Sequence, residues 1–264
     1  YKEIQDYFTK NEPPKSKIEQ ETADLYDRII RGRGKTPPII GGGGETPPII
    51  GGGGETPPII DHWKKIDNLF KHQDNALKKW KLNDYQGIFE HATGSGKTVT
   101  ALKAIDDHLK TGGAVLILVP SELLFKQWQD EINSEIDKPV FLLAGGGNNK
   151  WKKNNTLKYF VAQSVNEKSR IVLSIIKTAS SDEFISSFKG VNNLLIVVDE
   201  VHQIGSKEIS KSLQIDAMKR LGLSATPKRH NDSEGTQKII NYFDKIIEPP
   251  FTLDDAIHAK RLVK

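Results

Sequence analysis

Three short stretches of this chain hold residue types that handle a nucleotide. In Ala92-Thr93-Gly94-Ser95-Gly96-Lys97-Thr98, the two glycines tolerate positive φ, which lets backbone N–H groups converge on a phosphate. A helix opening at this point adds partial positive charge from its N-terminus. Lys97 would reach the β- and γ-phosphates of ATP, and the Thr98 hydroxyl would ligate Mg²⁺. Thr93, Gly94, Ser95, Gly96, Lys97 and Thr98 are therefore the candidate ATP-binding residues. The general pattern G-x-x-x-x-G-K-[ST] asks for glycine at 91, where this chain has His91.

The second stretch, Asp199-Glu200-Val201-His202, ends the apolar run 194–198. Two carboxylates closing a buried strand are costly unless they face a cation or water. Asp199 falls where a carboxylate would hold Mg²⁺, and Glu200 is placed to take a proton from an attacking water. His202 would lie near the γ-phosphate and relay its presence. The third stretch is Ser224-Ala225-Thr226-Pro227. Its hydroxyls, Ser224 and Thr226, could bond those carboxylates and couple their arrangement to the rest of the molecule.

These stretches need a scaffold that brings them together, and the hydrophobic pattern supplies one. Leu69, Phe70, Gln73, Ala76, Leu77 and Trp80 repeat at helical spacing, as do Val99, Leu102, Ile105 and Leu109. Short β-rich runs recur at 87–90, 114–119, 140–143, 171–176, 194–198 and 221–224. Apolar strands alternating with helices predict an α/β fold, a mostly parallel sheet with helices on both faces. Ligands of such sheets bind at the carboxyl ends of the strands, where all three stretches fall.

The remainder of the chain has a different composition. Residues 1–35 carry eight basic and seven acidic residues, with Ile18, Leu25 and Ile29 spaced for a short helix. Then TPPII occurs three times between 36 and 60, twice separated by GGGGE. Pro-Pro favours extended geometry and tetraglycine resists ordering, so 36–60 reads as a linker, with a proline-rich ligand as the lesser reading. A period of ten is too short for a solenoid unit. The regular pattern of one large domain begins at 61 and continues to 264.

Composition narrows the function classes. Cysteine is absent, which excludes disulfide frameworks and thiolate metal sites and fits a cytoplasmic setting. No apolar run approaches ~18 residues, so no helical span of a membrane is expected. The net charge of +4 leans mildly towards polyanions. From 138 to 166 there are five lysines and no carboxylate, with Phe141, Trp151, Tyr159 and Phe160 among them. Lysines neutralise phosphates and rings stack on bases, so this stretch suits a nucleic-acid strand; a solvated loop over core aromatics is the plainer reading.

In order and spacing, the three stretches resemble motifs I, II and III of superfamily 2 helicases, most closely the DExH-type, XPB-like repair branch. Leu69 to Leu77 resembles that family's upstream glutamine motif, and Val119 to Trp128 its motif Ia. The segment from Leu221 to Phe243 is similar to the close of its first motor domain. The resemblance spans about 63–264 and implies a RecA-like P-loop domain that hydrolyses ATP with Mg²⁺. It implies that Gln73 reads the adenine edge, with a bond to local backbone as the alternative. It also implies that Pro120, Ser121, Gln127 and Thr178 follow a strand of nucleic acid, on the same track as Lys150, Lys152 and Lys153 of the acid-free stretch. DNA is favoured over RNA, and a second RecA-like domain is the expected partner, absent before Lys264. Two departures stand out: Lys177 precedes Thr178 where relatives often have glutamine, and Gly145 to Gly147 only loosely match a backbone-clamping glycine pair. An RNA remodeller and a nucleotide-gated module of a restriction or defence complex are the alternatives. A P-loop kinase would leave motif Ia and the SATP stretch unexplained.

Overall fold

The computed structural model describes residues 64–162, 169–206 and 208–259. The expected helix and linker between residues 1 and 60 lie outside them. Six strands form one sheet: β1 (Gln86–Glu90), β2 (Ala114–Val119), β3 (Val140–Ala144), β4 (Arg170–Ile175), β5 (Leu194–Val198) and β6 (Lys219–Ser224). Their order is β1-β6-β5-β2-β4-β3 and every pair is parallel. All six residues of β2 and all five of β5 are buried, as expected of central strands covered on both faces.

Eight α-helices accompany the sheet among the described residues: α1 (Lys71–Leu82), α2 (Lys97–Leu109), α3 (Glu122–Glu135), α4 (Thr156–Ala162), α5 (Ile176–Ala179), α6 (Asp182–Ser186), α7 (Ser233–Phe243) and α8 (Leu253–His258). In α1, Gln73, Ala76, Leu77 and Trp80 face inward, while Leu69 and Phe70 precede its first turn. Trp80, Leu102, Ile105, Trp128 and Ile132, from three helices, pack into one core with Phe89, Ile117 and Val197 of the sheet. Each buries apolar surface worth roughly 25 cal/mol per Å².

The outer edge of β1 is covered by residues 245–251. Ile88 N–H donates to the Lys245 carbonyl (2.9 Å), and Phe251 N–H to that of Glu90 (2.9 Å). Without this cover, the strand that carries the phosphate loop would be an open edge.

Candidate active site

The sheet order places the three nucleotide motifs side by side. The loop 92–96 follows β1, 224–227 follows β6 and 199–202 follows β5, and these strands are neighbours. Gly94 and Gly96 take positive φ (79° and 86°), and Gly96 caps α2 from the left-handed region. A Cβ on Gly96 would also run into the Gln73 amide. Residue 91 does not need that freedom. His91 extends β1, its N–H donating to the Ser224 carbonyl (3.1 Å), while its buried ring stacks on Phe89. Burial, with His72 and Lys97 nearby, pushes the His91 pKa down to about 4, so the ring is neutral at physiological pH.

Lys97 is half-buried, and its Nζ donates to the His91 carbonyl (2.9 Å). Burial holds its ammonium below the ordinary value, while Glu200 and Asp199 pull the other way. The lysine therefore senses both carboxylates across the strand ends. Thr98 is half-buried in the first turn of α2, whereas Thr93 and Gly94 are exposed and Ser95 is buried.

Gln73 is 2% exposed, and its amide is spent inside the chain. Its Oε1 accepts from Phe70 N–H (2.8 Å) and its Nε2 donates to the Gly96 carbonyl (3.0 Å). The group expected at an adenine edge braces the phosphate loop, because a buried amide must pair at both ends, and one N–H and one carbonyl lone pair remain beyond these two bonds. His72 adds a second brace, from Nε2 to the Ser95 carbonyl (3.0 Å), with its ring stacked on Phe251 at 3.7 Å.

At the end of β5, Asp199 is buried and held at both oxygens. Oδ1 accepts from Glu200 N–H (3.0 Å) and Oδ2 from the Trp128 indole (2.8 Å). Glu200 adopts a left-handed backbone (φ 48°, ψ 53°), uncommon outside glycine and concentrated at functional sites. Its Oε2 lies 3.4 Å from His202 Nδ1, which is 3.1 Å from Ser224 Oγ. Ser224 Oγ also accepts the Thr226 N–H (3.0 Å). The β6 hydroxyl thus meets the histidine rather than a carboxylate, and exposed Thr226 enters through its backbone. Arg229 donates to the His202 carbonyl and to Asp232 Oδ2 (2.6 Å). A cavity of about 630 Å³ opens here, lined by His202, Thr226, Lys228, Arg229 and His230.

The expected nucleic-acid residues gather at the other strand ends, after β2, β4 and β3. Ser121 and Gln127 are exposed on α3, with Pro120 half-buried before them. Ser121 Oγ caps that helix, accepting from Leu124 N–H (3.3 Å). A Cβ on Gly145 would lie 2.9 Å from Thr178 Oγ1, so the glycine loop rests on α5. Lys150, Lys152 and Lys153 are exposed on a 3₁₀ segment, Lys150–Asn155. The aromatic part of that expectation is corrected. Phe141, Trp151 and Phe160 are each at most 5% exposed and sit in the core, so they cannot stack on bases.

Sequence reasoning missed Trp128 as a partner of Asp199, the Arg229 contact to His202, and the 245–251 cover. Trp128 reads as one more core residue on an apolar stripe, and only its indole N–H hints that an acceptor lies opposite.

A parallel sheet with a phosphate loop after β1 and paired carboxylates after β5 defines a P-loop NTPase domain of the RecA-like class. The chain belongs to the family described as type III restriction enzyme, res subunit, which matches residues 66–229. Its sequence is 32% identical to Rad25 of Haloarcula marismortui, over 58% of this chain and 24% of that protein. It is 33% identical to the DNA 3'-5' translocase XPB2 of Sulfurisphaera tokodaii, over 60% of this chain and 30% of that protein. The chain thus spans less than a third of each of these relatives, and they bear out the resemblance to the XPB-like branch. In fold it is similar to the Pyrococcus furiosus Hef helicase domain, with a TM-score of 0.51 at 21% identity, covering 71% of this chain and 38% of that one.

Proposed function

We propose that this chain is the nucleotide-binding motor domain of a DNA-dependent ATPase, a helicase or translocase. The observation that carries the reading is the position of Lys97 within electrostatic reach of Asp199 and Glu200, at the ends of β1 and β5 on either side of β6. The residues fit ATP and Mg²⁺. The glycines free the loop amides, and Asp199 keeps lone pairs beyond the two already bonded. Mg²⁺ needs only one or two carboxylates beside phosphate oxygens, so Thr98 and Asp199 suffice to hold it. Bound there, the ion supplies charge that stabilises the transferring phosphoryl group.

The chain's own residues supply the rest. Lys97 and the loop amides neutralise the phosphates. Glu200 takes the proton of the attacking water, and its left-handed backbone sets the carboxylate beside His202. The His202–Ser224–Thr226 bonds transmit the state of that carboxylate to the loop after β6. Support for DNA comes from similarity to XPB2, together with exposed lysines at strand ends away from the phosphate loop. The family description favours a second reading, a nucleotide-gated module of a restriction assembly.

ATP hydrolysis by the full-length protein, with no nucleic acid, duplex DNA, single-stranded DNA or RNA, separates the readings. Stimulation by DNA is expected. Stimulation by RNA alone would identify an RNA remodeller. Nucleotide-dependent DNA affinity without turnover would identify a gated binding module.

A further inference from the structure

The strand order divides the carboxyl ends of the sheet into two groups. Those of β1, β6 and β5 carry the nucleotide motifs, and those of β2, β4 and β3 carry the nucleic-acid residues. The groups meet where β5 pairs with β2. Across that seam runs a buried side-chain bond to the site itself, from the Trp128 indole on α3 to Asp199 Oδ2 at 2.8 Å. Trp128 is 1% exposed and Asp199 7%, so water does not compete for the bond. Packing alone would be served by a phenyl ring. Trp80 of the same core spends its indole N–H on a backbone carbonyl, that of Arg220 (3.0 Å), whereas Trp128 spends it on the carboxylate. The helix that carries Trp128 starts at the exposed Ser121 and exposes Gln127 beside the tryptophan.

We propose that Trp128 is a positioning residue: it sets the Asp199 carboxylate for Mg²⁺ and transmits to it the seating of nucleic acid on the start of α3. This rests on the reading above, in which Asp199 holds the metal and α3 faces the strand. With the indole on Oδ2 and the Glu200 N–H on Oδ1, the carboxylate cannot rotate, and its remaining lone pairs are aimed in fixed directions, as partners of metal-ligating groups do. Coupling through a rigid helix is reciprocal, so nucleic acid tightens Mg²⁺ on the nucleotide complex by the factor by which Mg²⁺ tightens nucleic acid on that complex.

The test titrates Mg²⁺ into the complex of the chain with a fluorescent ATP analogue, for wild type and Trp128→Phe, with and without a short DNA duplex. Trp128→Phe raises the Mg²⁺ half-saturation point roughly tenfold. It leaves nucleotide affinity in a chelator unchanged and abolishes the shift that the duplex produces in wild type. A Mg²⁺-dependent wild type with an unchanged half-saturation in Trp128→Phe overturns this inference alone. A wild type indifferent to Mg²⁺ overturns the metal assignment as well. A second readout needs no folded variant. In wild type, the Trp128 indole N–H resonance moves when Mg²⁺ joins the nucleotide complex, and a resonance that stays put overturns the proposal.

Discussion

The Gly96 carbonyl accepts from three donors: Gln73 Nε2, Thr100 N–H and Thr100 Oγ1, each at 3.0 Å. The loop is thereby braced from α1 and from its own helix before any phosphate arrives. Because Gln73 braces the loop from both ends of its amide, Gln73→Ala should weaken ATP and GTP equally, through the loop. Competition titrations with the two nucleotides check this, and a loss confined to ATP would return the amide to the adenine edge. Losing the Gln73 bond to the Phe70 N–H should also cost ~0.5–1.5 kcal/mol of stability, while the Gly96 carbonyl keeps both Thr100 donors. Glu200 gives a second prediction at this scale. Glu200→Gln in the full-length protein keeps nucleotide affinity but lowers turnover at least ~10²-fold, as for a lost general base. Single-turnover kinetics decide it, and near-normal turnover would leave Glu200 as a strand-end carboxylate only.

Between elements, the division of strand ends predicts that strand binding and nucleotide binding can be separated by mutation. Replacing Lys150, Lys152 and Lys153 by alanine should weaken DNA alike for all sequences. It should also reduce the slope of log K against log salt by up to ~3, if each lysine meets one phosphate. ATP affinity should hardly change, because the 3₁₀ segment follows β3, at the far side of the sheet from the phosphate loop. A salt series of filter-binding curves measures the slope, and an unaltered one would place the track elsewhere. Much of this arrangement was legible in the sequence. The runs at 114–119 and 194–198 are apolar throughout, and only a strand buried on both faces asks for that. The phosphate loop and DEVH stretch likewise announce themselves, because glycine, lysine and paired carboxylates have few other uses at such positions. Less legible was anything that depends on a distant partner. Trp151 and Phe160 stand among lysines in the chain, yet they face inward, because a short helix has a buried side whatever its neighbours carry. The left-handed turn at Glu200 has no local signal, since no glycine or asparagine marks it. The cover over β1 joins residues too distant in the chain for any periodicity to connect them.

At the scale of the whole molecule, two buried histidines tie stability to pH. His91 and His108 are each 1% exposed, and burial is the leading cause that lowers both to about 4. An unfolded histidine titrates near 6.5. Between these values the unfolded chain binds more protons, so stability is lost as pH falls from about 6.5 towards 4. Each ring contributes a slope of up to ~1.4 kcal/mol per pH unit there. Urea unfolding across that window should show the loss, which His108→Gln should reduce by up to half; a flat profile would mean that neither ring is held neutral. The central claim is that the loop after β1 binds the phosphates of ATP together with the carboxylates after β5. Calorimetric titration of Mg·ATP into the wild-type chain and into Lys97→Ala tests it most directly, with circular dichroism confirming that the variant is folded. Binding should be lost or severely weakened in a folded Lys97→Ala. An affinity equal to wild type would contradict the account.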